Sequence, residues 1–144
     1  MLKGVDPILG PDLLAALRAM GHGDELAIVD ANFPAARLAR RLCRSDGVDA
    51  IRMLDAIAAL LPLDDFGDLA AWRMATVSSA DDPPAILEAF KESLARAGYK
   101  GPIGAVEREA FYRRAAEAFV IVATGEARLY GNLILRKGVI RHAH

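Results

Sequence analysis

Short apolar runs that suit buried strands alternate along this chain with stretches that carry a helical apolar stripe, and this alternation limits the possible folds. The run "ELAIVD" ends at Asp30, and the run "FVIVAT" spans 119–124. Continuous apolar runs of this length, rich in β-branched residues, are typical of strands buried on both faces. Strands that alternate with helices predict an α/β fold with a largely parallel sheet.

Helices are predicted where apolar residues recur every three to four positions. The first begins at Pro11, carries Leu13, Leu14, Leu17 and Met20 on one side, and ends before Gly21. A second helix is predicted at 48–61 and stops before Pro62. A third, at 83–97, is capped by Asp82 and ends at Gly98. A fourth covers the stretch "EREAFYRRAAEAF". A short turn or helix is expected from Pro34 to Arg40.

Further strands are predicted at "RLCRSDG" and "LAAWRMATV", and a final pair within "LYGNLILRKGVI". The final pair, joined by a short turn, is expected to form an antiparallel hairpin at the edge of the sheet. The complete prediction is a three-layer, Rossmann-like α/β sandwich with a largely parallel central sheet and an edge hairpin. With 144 residues and no linker, repeat or low-complexity tract, residues 1–144 are expected to form one domain.

Composition excludes several classes of partner. Eighteen basic and nineteen acidic side chains leave a net charge of −1, so no basic footprint for nucleic acid or for an anionic membrane is present. The run "AIAALL" is too short to span a bilayer. Because Cys43 has no second cysteine to pair with, and "MLKGVDPILG" lacks the apolar core of a signal peptide, we expect a soluble protein of the cytoplasm.

Common cofactor and metal motifs are absent from the sequence. No glycine-rich dinucleotide or phosphate loop, serine-nucleophile elbow or CxxC pair occurs. Histidines 142 and 144 lie in a polar C-terminal tail, and His22 has no other histidine at metal-ligand spacing. We therefore expect neither a cofactor nor a metal site.

Two polar residues flank the run "ELAIVD". His22 follows the first helix and carries an imidazole that can give and take a proton near neutral pH, although it could simply cap that helix. Asp30 ends a strand at the edge where α/β folds bind ligands, although it could simply start an Asx turn. Both interpretations of each residue remain open from the sequence.

Two pairs of polar residues occur later in the chain. Arg108 and Tyr112 are four residues apart, which puts them on one helix face as ligand contacts or as an ordinary exposed pair. If "YGN" is a strand, Tyr130 and Asn132 point to the same side, where a ring and an amide suit a sugar. The alternative for "YGN" is an ordinary edge strand with a bend at Gly131.

Three blocks of the chain together closely resemble the L-fucose mutarotase and D-ribose pyranase family. They are "MLKGVDPILGPDLLAALRAMGHGDELAIVDANFPA", "RSDGVDAIRMLDAIAALLPLD" and "EREAFYRRAAEAFVIVATGEARLYGNLILRKGV". The segments "GHGDE", "DANFPA" and "YGNLILRKGV" are specific in their combination and order. Within the family, "DANFPA", the "FY" of "AFYRRA" and "TGE…YGN" are similar to the fucose branch.

The resemblance implies an isomerase that interconverts the α and β anomers of L-fucose without a cofactor or a metal. It implies that His22 is the proton donor and that Asp30, Arg108, Tyr130 and Asn132 bind the sugar; Tyr112 is added for its place beside Arg108. The alternatives are a D-ribose pyranase or another monosaccharide mutarotase, a non-catalytic sugar-binding module, and a purely structural oligomer. General acid–base catalysis by one imidazole supplies about 10²–10⁴-fold, which suits a reaction that already proceeds slowly in water.

The positions of His22 and Asp30 on either side of one strand predict a shared site. Eight extended residues span roughly 26 Å, which leaves the two side chains well apart for one monosaccharide. Either His22 folds back along the loop, or the two groups come from neighbouring subunits, which is the interpretation that we favour. We therefore expect sites near subunit interfaces, in agreement with the ring-like homo-oligomers that the resemblance implies. Phe33, Phe111 and Tyr112 are the expected apolar wall for the methyl group of fucose.

Overall fold

The computed structural model describes residues 1–77 and 83–142, which form a six-stranded sheet with helices on both faces. The helices are α1 (Pro11–Ala19), α2 (Ala35–Leu38), α3 (Ala50–Ala58), α4 (Leu87–Arg96) and α5 (Arg108–Glu117). The strands are β1 (Glu25–Val29), β2 (Leu42–Ser45), β3 (Ala71–Met74), β4 (Gly104–Val106), β5 (Val120–Thr124) and β6 (Leu133–Arg136).

The strands lie in the order β2-β5-β1-β6-β3-β4. The pairs β2–β5, β5–β1 and β3–β4 are parallel, whereas β6 runs antiparallel to both β1 and β3. Five strands therefore point in one direction and β6 in the other, which confirms the predicted α/β class and the largely parallel sheet.

Two apolar cores form because successive residues of a strand point to opposite sides of the sheet. Leu26 and Ile28 of β1 belong to the core that includes residues of α1, α3 and α4, while Ala27 and Val29 belong to the core that includes residues of α2 and α5. All four are fully buried. The predicted three-layer sandwich is present, with β1 in the interior of the sheet.

The predicted edge hairpin is wrong. Within the described part of the C-terminal segment only β6 is a strand, and it lies between β1 and β3 in the interior of the sheet. Leu133, Ile134 and Leu135 have no exposed surface, so this run is buried on both faces like a parallel strand. The chain after β5 crosses to the far side of β1 because β1 already occupies the neighbouring hydrogen-bonding edge of β5.

The predicted helices exist with shorter bounds. Asp49 caps α3 by accepting a hydrogen bond from the Arg52 backbone N–H at 2.7 Å, so this helix begins two residues later than 48. Helix α4 begins at Leu87 instead of 83, and Asp82, its predicted cap, lies outside the described residues. Gly98 follows α4 with φ +92°, a conformation that favours glycine at a helix end. No helix within 1–77 and 83–142 is long and apolar enough to cross a membrane.

Candidate functional site

One cavity lies where the carboxyl ends of β1, β3 and β4 meet the start of β6. Because β6 runs opposite to its neighbours, the residues that precede it lie beside those that follow β1 and β3. The cavity has a volume of about 160 Å³ and contains all five predicted sugar-binding residues. It is lined by Asp30, Asn32, Phe33, Met74, Arg108, Tyr112, Leu129, Tyr130 and Asn132.

Asp30 is held at the floor of this cavity by a mutual pair of hydrogen bonds with Asn132. The Asp30 backbone N–H donates to Asn132 Oδ1 at 2.8 Å, and Asn132 Nδ2 donates to Asp30 Oδ2 at 3.1 Å. The Asn32 N–H also donates to Asp30 Oδ1 at 3.0 Å, so the predicted Asx turn is present. The turn fixes the same carboxylate that faces the cavity, and the two interpretations of Asp30 are compatible.

Burial sets the electrostatics of Asp30. Its residue is 7 % exposed, and no ion pair to it occurs within residues 1–77 and 83–142. Loss of hydration raises the pKa of Asp30 above its ordinary value, and the hydrogen bonds from Asn32 and Asn132 offset only part of that effect. The carboxylate therefore has hydrogen-bond donors from the protein but no cationic partner in the described part of the chain, and the hydroxyl groups of a ligand can add further donors.

Tyr130 and Asn132 share the cavity for a different reason from the one predicted. They lie in a turn before β6 instead of in a strand, and Tyr130 has φ 60°. The intervening Gly131 is tightly enclosed, since a Cβ there would come within 2.7 Å of Glu126 Cγ. The Tyr130 hydroxyl accepts a hydrogen bond from the Val77 N–H at 3.3 Å. Turn geometry, not strand alternation, brings the two side chains together.

Arg108 and Tyr112 reach the cavity from the first two turns of α5. Arg108 is the first residue of the helix, about half exposed, and its nearest charged partner is Glu109 at 3.6 Å. Tyr112 packs against Phe33 with 5.3 Å between ring centroids. Phe111 is fully buried in the core instead, so the prediction that it helps form the apolar wall is wrong.

His22 lies at the opposite end of β1. Its Nε2 is 3.0 Å from Asp64 Oδ1, and its ring lies 4.9 Å from that of Phe66. Helix α1 ends earlier, at Ala19, and is capped by the Met20 N–H, so the ring engages Asp64 instead of capping the helix. Within one subunit β1 separates His22 from the cavity, since Glu25 and Val29 alone are roughly 13 Å apart in an extended strand.

The surface beside His22 is an apolar groove of about 670 Å³. Leu2, Leu60 and Ile140 line it and are 65 %, 40 % and 69 % exposed. Exposed apolar surface of this extent, next to a polar functional group, is typical of a surface that contacts another protein.

The sequence interpretation missed Asp64 and Phe66, which contact His22, and Asn32, which lines the cavity. Asp64 is 42 residues from His22 in the chain, so no local spacing could have joined them. Within residues 1–77 and 83–142 no group of three or more His, Cys, Asp and Glu side chains is placed to hold a metal ion. His142 is exposed, and His144 lies outside the described residues.

Comparisons with known proteins agree over nearly the full length. Residues 3–140 match the model of the RbsD / FucU transport protein family. The fucose mutarotase of Bos taurus is 45 % identical over 147 residues, which cover 97 % of this chain and 95 % of that protein. The crystal structure of fucose mutarotase from Streptococcus pneumoniae in complex with L-fucose has a TM-score of 0.90 and 43 % identity, over 97 % of this chain and 100 % of that one.

A more distant likeness bears on the fold alone. The structure of Bacillus subtilis RbsD complexed with D-ribose has a TM-score of 0.74 but only 19 % identity, over 98 % of this chain and 100 % of that one.

Proposed function

The chain belongs to the RbsD/FucU family, and we propose that it is a fucose mutarotase, an isomerase that interconverts the anomers of L-fucose. Identity above 40 % to fucose mutarotases over almost the whole chain supports this activity. The structural observation that carries the proposal is the convergence of Asp30, Arg108, Tyr112, Tyr130 and Asn132 on one cavity.

The chemistry of the cavity suits a sugar with a 6-deoxy methyl group. Asp30 offers a buried carboxylate to hydroxyl donors, and Arg108 offers a guanidinium with several donors to hydroxyl and carbonyl oxygens. The rings of Phe33 and Tyr112 supply an apolar wall beside these groups. Fucose presents a methyl group to such a wall, whereas ribose presents none, which favours the fucose branch over a D-ribose pyranase.

We propose that a neighbouring copy of the chain completes each site. The cavity of about 160 Å³ is smaller than the roughly 300–1,000 Å³ of most small-molecule sites. His22 faces an apolar groove at the opposite end of β1. A ring-like homo-oligomer in which the groove of one subunit covers the cavity of the next would bury the groove and bring His22 to the sugar.

In this arrangement His22 acts as the proton donor and acceptor. Protonation of the ring oxygen, together with loss of the anomeric hydroxyl proton, opens the sugar to the aldehyde; closure on either face gives either anomer. No electron transfer or covalent intermediate is required, so the reaction proceeds without a cofactor or a metal. Asp30, Arg108 and Asn132 hold the hydroxyls while the ring opens. We also propose that residues 1–144 form a single domain and that the protein acts in the cytoplasm.

Nuclear magnetic resonance saturation transfer between the α and β anomers of L-fucose tests this function. Addition of the protein is expected to increase the exchange rate, and His22→Ala is expected to reduce it by about 100-fold or more, the usual contribution of a positioned acid–base group. The variant should remain folded and assembled, with at most a small change in melting temperature from the lost contact with Asp64, because His22 is about half exposed. Binding without accelerated exchange would indicate a sugar-binding module, and neither effect would indicate a structural oligomer.

A further inference from the structure

Five arginines line a second cavity, which lies beside the start of β1, the end of α5 and the residues just before β2. The cavity has a volume of about 800 Å³, and its arginines are Arg40, Arg41, Arg113, Arg114 and Arg136. This volume is within the roughly 300–1,000 Å³ that is typical of small-molecule sites. No residue that lines the sugar cavity also lines this one, so the two cavities are separate.

The lining of this cavity carries more positive than negative charge. Its carboxylates are those of Asp24, Glu25 and Glu117, so the five guanidinium groups leave a formal excess of two positive charges. Asp24 already accepts a hydrogen bond from the Gly21 N–H at 2.7 Å. An excess of one sign of charge in a concave surface attracts ligands of the opposite sign. The cavity therefore favours an anion.

Two of the arginines are held in fixed positions with donors to spare. Arg114 and Arg136 bind Glu25 through Nε and Nη2, at distances of 2.7 to 3.2 Å. Both guanidinium groups also lie over the ring of Trp72, with 3.8 and 4.8 Å between the guanidinium carbon and the ring centroid. Within the described part of the chain, Nη1 of neither arginine forms a hydrogen bond. An anion can thus bind these donors without first ordering the side chains.

The other three arginines have no carboxylate partner. The Arg41 guanidinium stacks on Phe119, 4.0 Å from the ring centroid, and its Nη1 donates to the Phe119 carbonyl at 3.2 Å. Arg40 and Arg113 are exposed, and within residues 1–77 and 83–142 neither forms an ion pair. Their charge is available to a ligand.

We propose that this cavity binds the phosphoryl group of a phosphate monoester, with Arg114 and Arg136 as fixed donors and Arg41 and Arg113 as additional ones. A phosphate monoester carries a charge close to −2 at neutral pH, which matches the formal excess in the cavity better than the single charge of a carboxylate. Guanidinium groups bind phosphate oxygens through paired N–H donors. The site goes beyond the proposed mutarotase function and does not depend on it.

Calorimetric titration of the assembled protein tests this site. The probes are inorganic phosphate, glucose 6-phosphate and adenosine monophosphate, and glucose and adenosine are their controls without a phosphoryl group. Trp72 is the only tryptophan of the chain, so its indole ¹H–¹⁵N resonance reports on the arginines stacked against it. We expect at least one monoester to bind and to shift this resonance, and neither control to do so. The tighter monoester shows whether the ligand is a sugar phosphate or a nucleotide.

Three substitutions of equal charge locate the binding. Arg41→Gln and Arg113→Gln should each raise the Kd of the monoester about 10-fold, because each removes a charge-assisted hydrogen bond. Arg96→Gln is the matched control: Arg96 belongs to α4, which packs on the opposite face of the sheet from α5, and it pairs with Asp55 at 2.9 Å. Its Kd should stay within about twofold of that of the unchanged protein, since distant surface charges are screened.

Several results would overturn the proposal. Binding of neither monoester, with or without binding of inorganic phosphate, would leave an adventitious ion only. An equal Kd in Arg96→Gln, Arg113→Gln and the unchanged protein, or a Trp72 resonance that a bound monoester leaves in place, would put the phosphoryl group elsewhere. Dissociation of the assembly in Arg41→Gln or Arg113→Gln would show that these arginines contact another copy of the chain. A protein that binds a monoester here but does not accelerate anomer exchange would retain this site and lose the proposed function.

Discussion

The carboxylates of Glu25 and Asp30 lie at opposite ends of β1. Of the two, only Glu25 forms ion pairs with arginines in the described part of the chain. Glu25, at the start of the strand, accepts hydrogen bonds from Arg114 at 2.7 and 2.8 Å and from Arg136 at 2.9 Å. Burial would raise the pKa of Glu25, but these two guanidinium groups lower it below its ordinary value. Asp30, just beyond the end of the strand, has a pKa raised by burial.

We propose that this difference separates a structural carboxylate, Glu25, from a sugar-binding one, Asp30. The arginines around Glu25 also stack on Trp72, with the Arg114 guanidinium 3.8 Å from the ring centroid, so charge and packing are satisfied within the subunit. Asp30 has amide donors only, and it faces a cavity. A buried carboxylate without an ion pair lowers stability, and we propose that a ligand that donates hydrogen bonds to it offsets this cost.

The largest expected effect is the loss of activity at the Asp30 end. Asp30→Ala should reduce anomer exchange about 100-fold or more, because the sugar loses the acceptor that orients its hydroxyls. Glu25→Gln, at the other end of the same strand, should retain exchange within about threefold in the folded protein. Saturation transfer with L-fucose measures both. Equal losses of activity in Asp30→Ala and Glu25→Gln would contradict the proposal that only Asp30 binds the sugar.

The second largest expected effect is a loss of stability when Glu25 is substituted. Glu25→Gln should lower the free energy of unfolding by about 1–3 kcal/mol at neutral pH, because Arg114 and Arg136 lose a charged acceptor and both are partly exposed. Asp30→Asn should lower the free energy of unfolding less, since it removes a carboxyl group whose charged form is disfavoured by burial. Denaturant unfolding monitored by circular dichroism gives the two values, and a larger loss for Asp30→Asn would contradict the assignment.

The contributions of Glu25 and Asp30 to the free energy of unfolding should depend on pH with opposite signs. The folded-state pKa of Glu25 is below its ordinary value of 4.5, so its stabilisation is present above that pH and is lost as the pH falls through the folded value. For Asp30 the folded-state pKa is above its ordinary value of 3.8, so its charge costs stability progressively as the pH rises through the folded value. Unfolding curves of both variants from pH 3 to 7 test this contrast.

The smallest expected effect concerns the choice of sugar. Phe33→Leu should narrow the preference for L-fucose over D-ribose by a few fold, because burial of one methyl group contributes about 1 kcal/mol. Phe119→Leu is the control: Phe119 is also partly buried and lies under Arg41, 4.0 Å from the guanidinium carbon, outside the cavity. Faster exchange of D-ribose than of L-fucose by the unchanged protein would favour the pyranase alternative.

The sequence predicted the layers of the fold more accurately than the position of its last strand. Buried runs such as that of β1 are recognisable locally because both faces must be apolar. The run of β6 has the same pattern, and neither its direction nor its partners can be obtained from periodicity. They are determined by which hydrogen-bonding edges remain free once β5 has paired with β1.

The candidate site shows the same division between local and long-range information. Helical spacing is local information and pairs Arg108 with Tyr112, and both residues line the cavity. Tyr130 and Asn132 also line it, but they lie in a turn instead of in the predicted strand. The hydrogen bond between His22 and Asp64 joins residues 42 positions apart, so the spacing of residues in the sequence could not predict it. Asn32 lies beside Asp30 in sequence, and its part in the cavity could have been inferred from the Asx turn.

The central claim is that each site combines the His22 end of one subunit with the Asp30 end of its neighbour, and subunit mixing tests it most directly. His22→Ala and Asp30→Ala are each expected to be inactive alone. Coexpressed in equal amounts, they should recover about a quarter of the unchanged exchange rate, since that share of interfaces pairs an intact His22 with an intact Asp30 under random assembly. Mixed assemblies as inactive as either variant alone would show that both residues act within one subunit and would contradict the account.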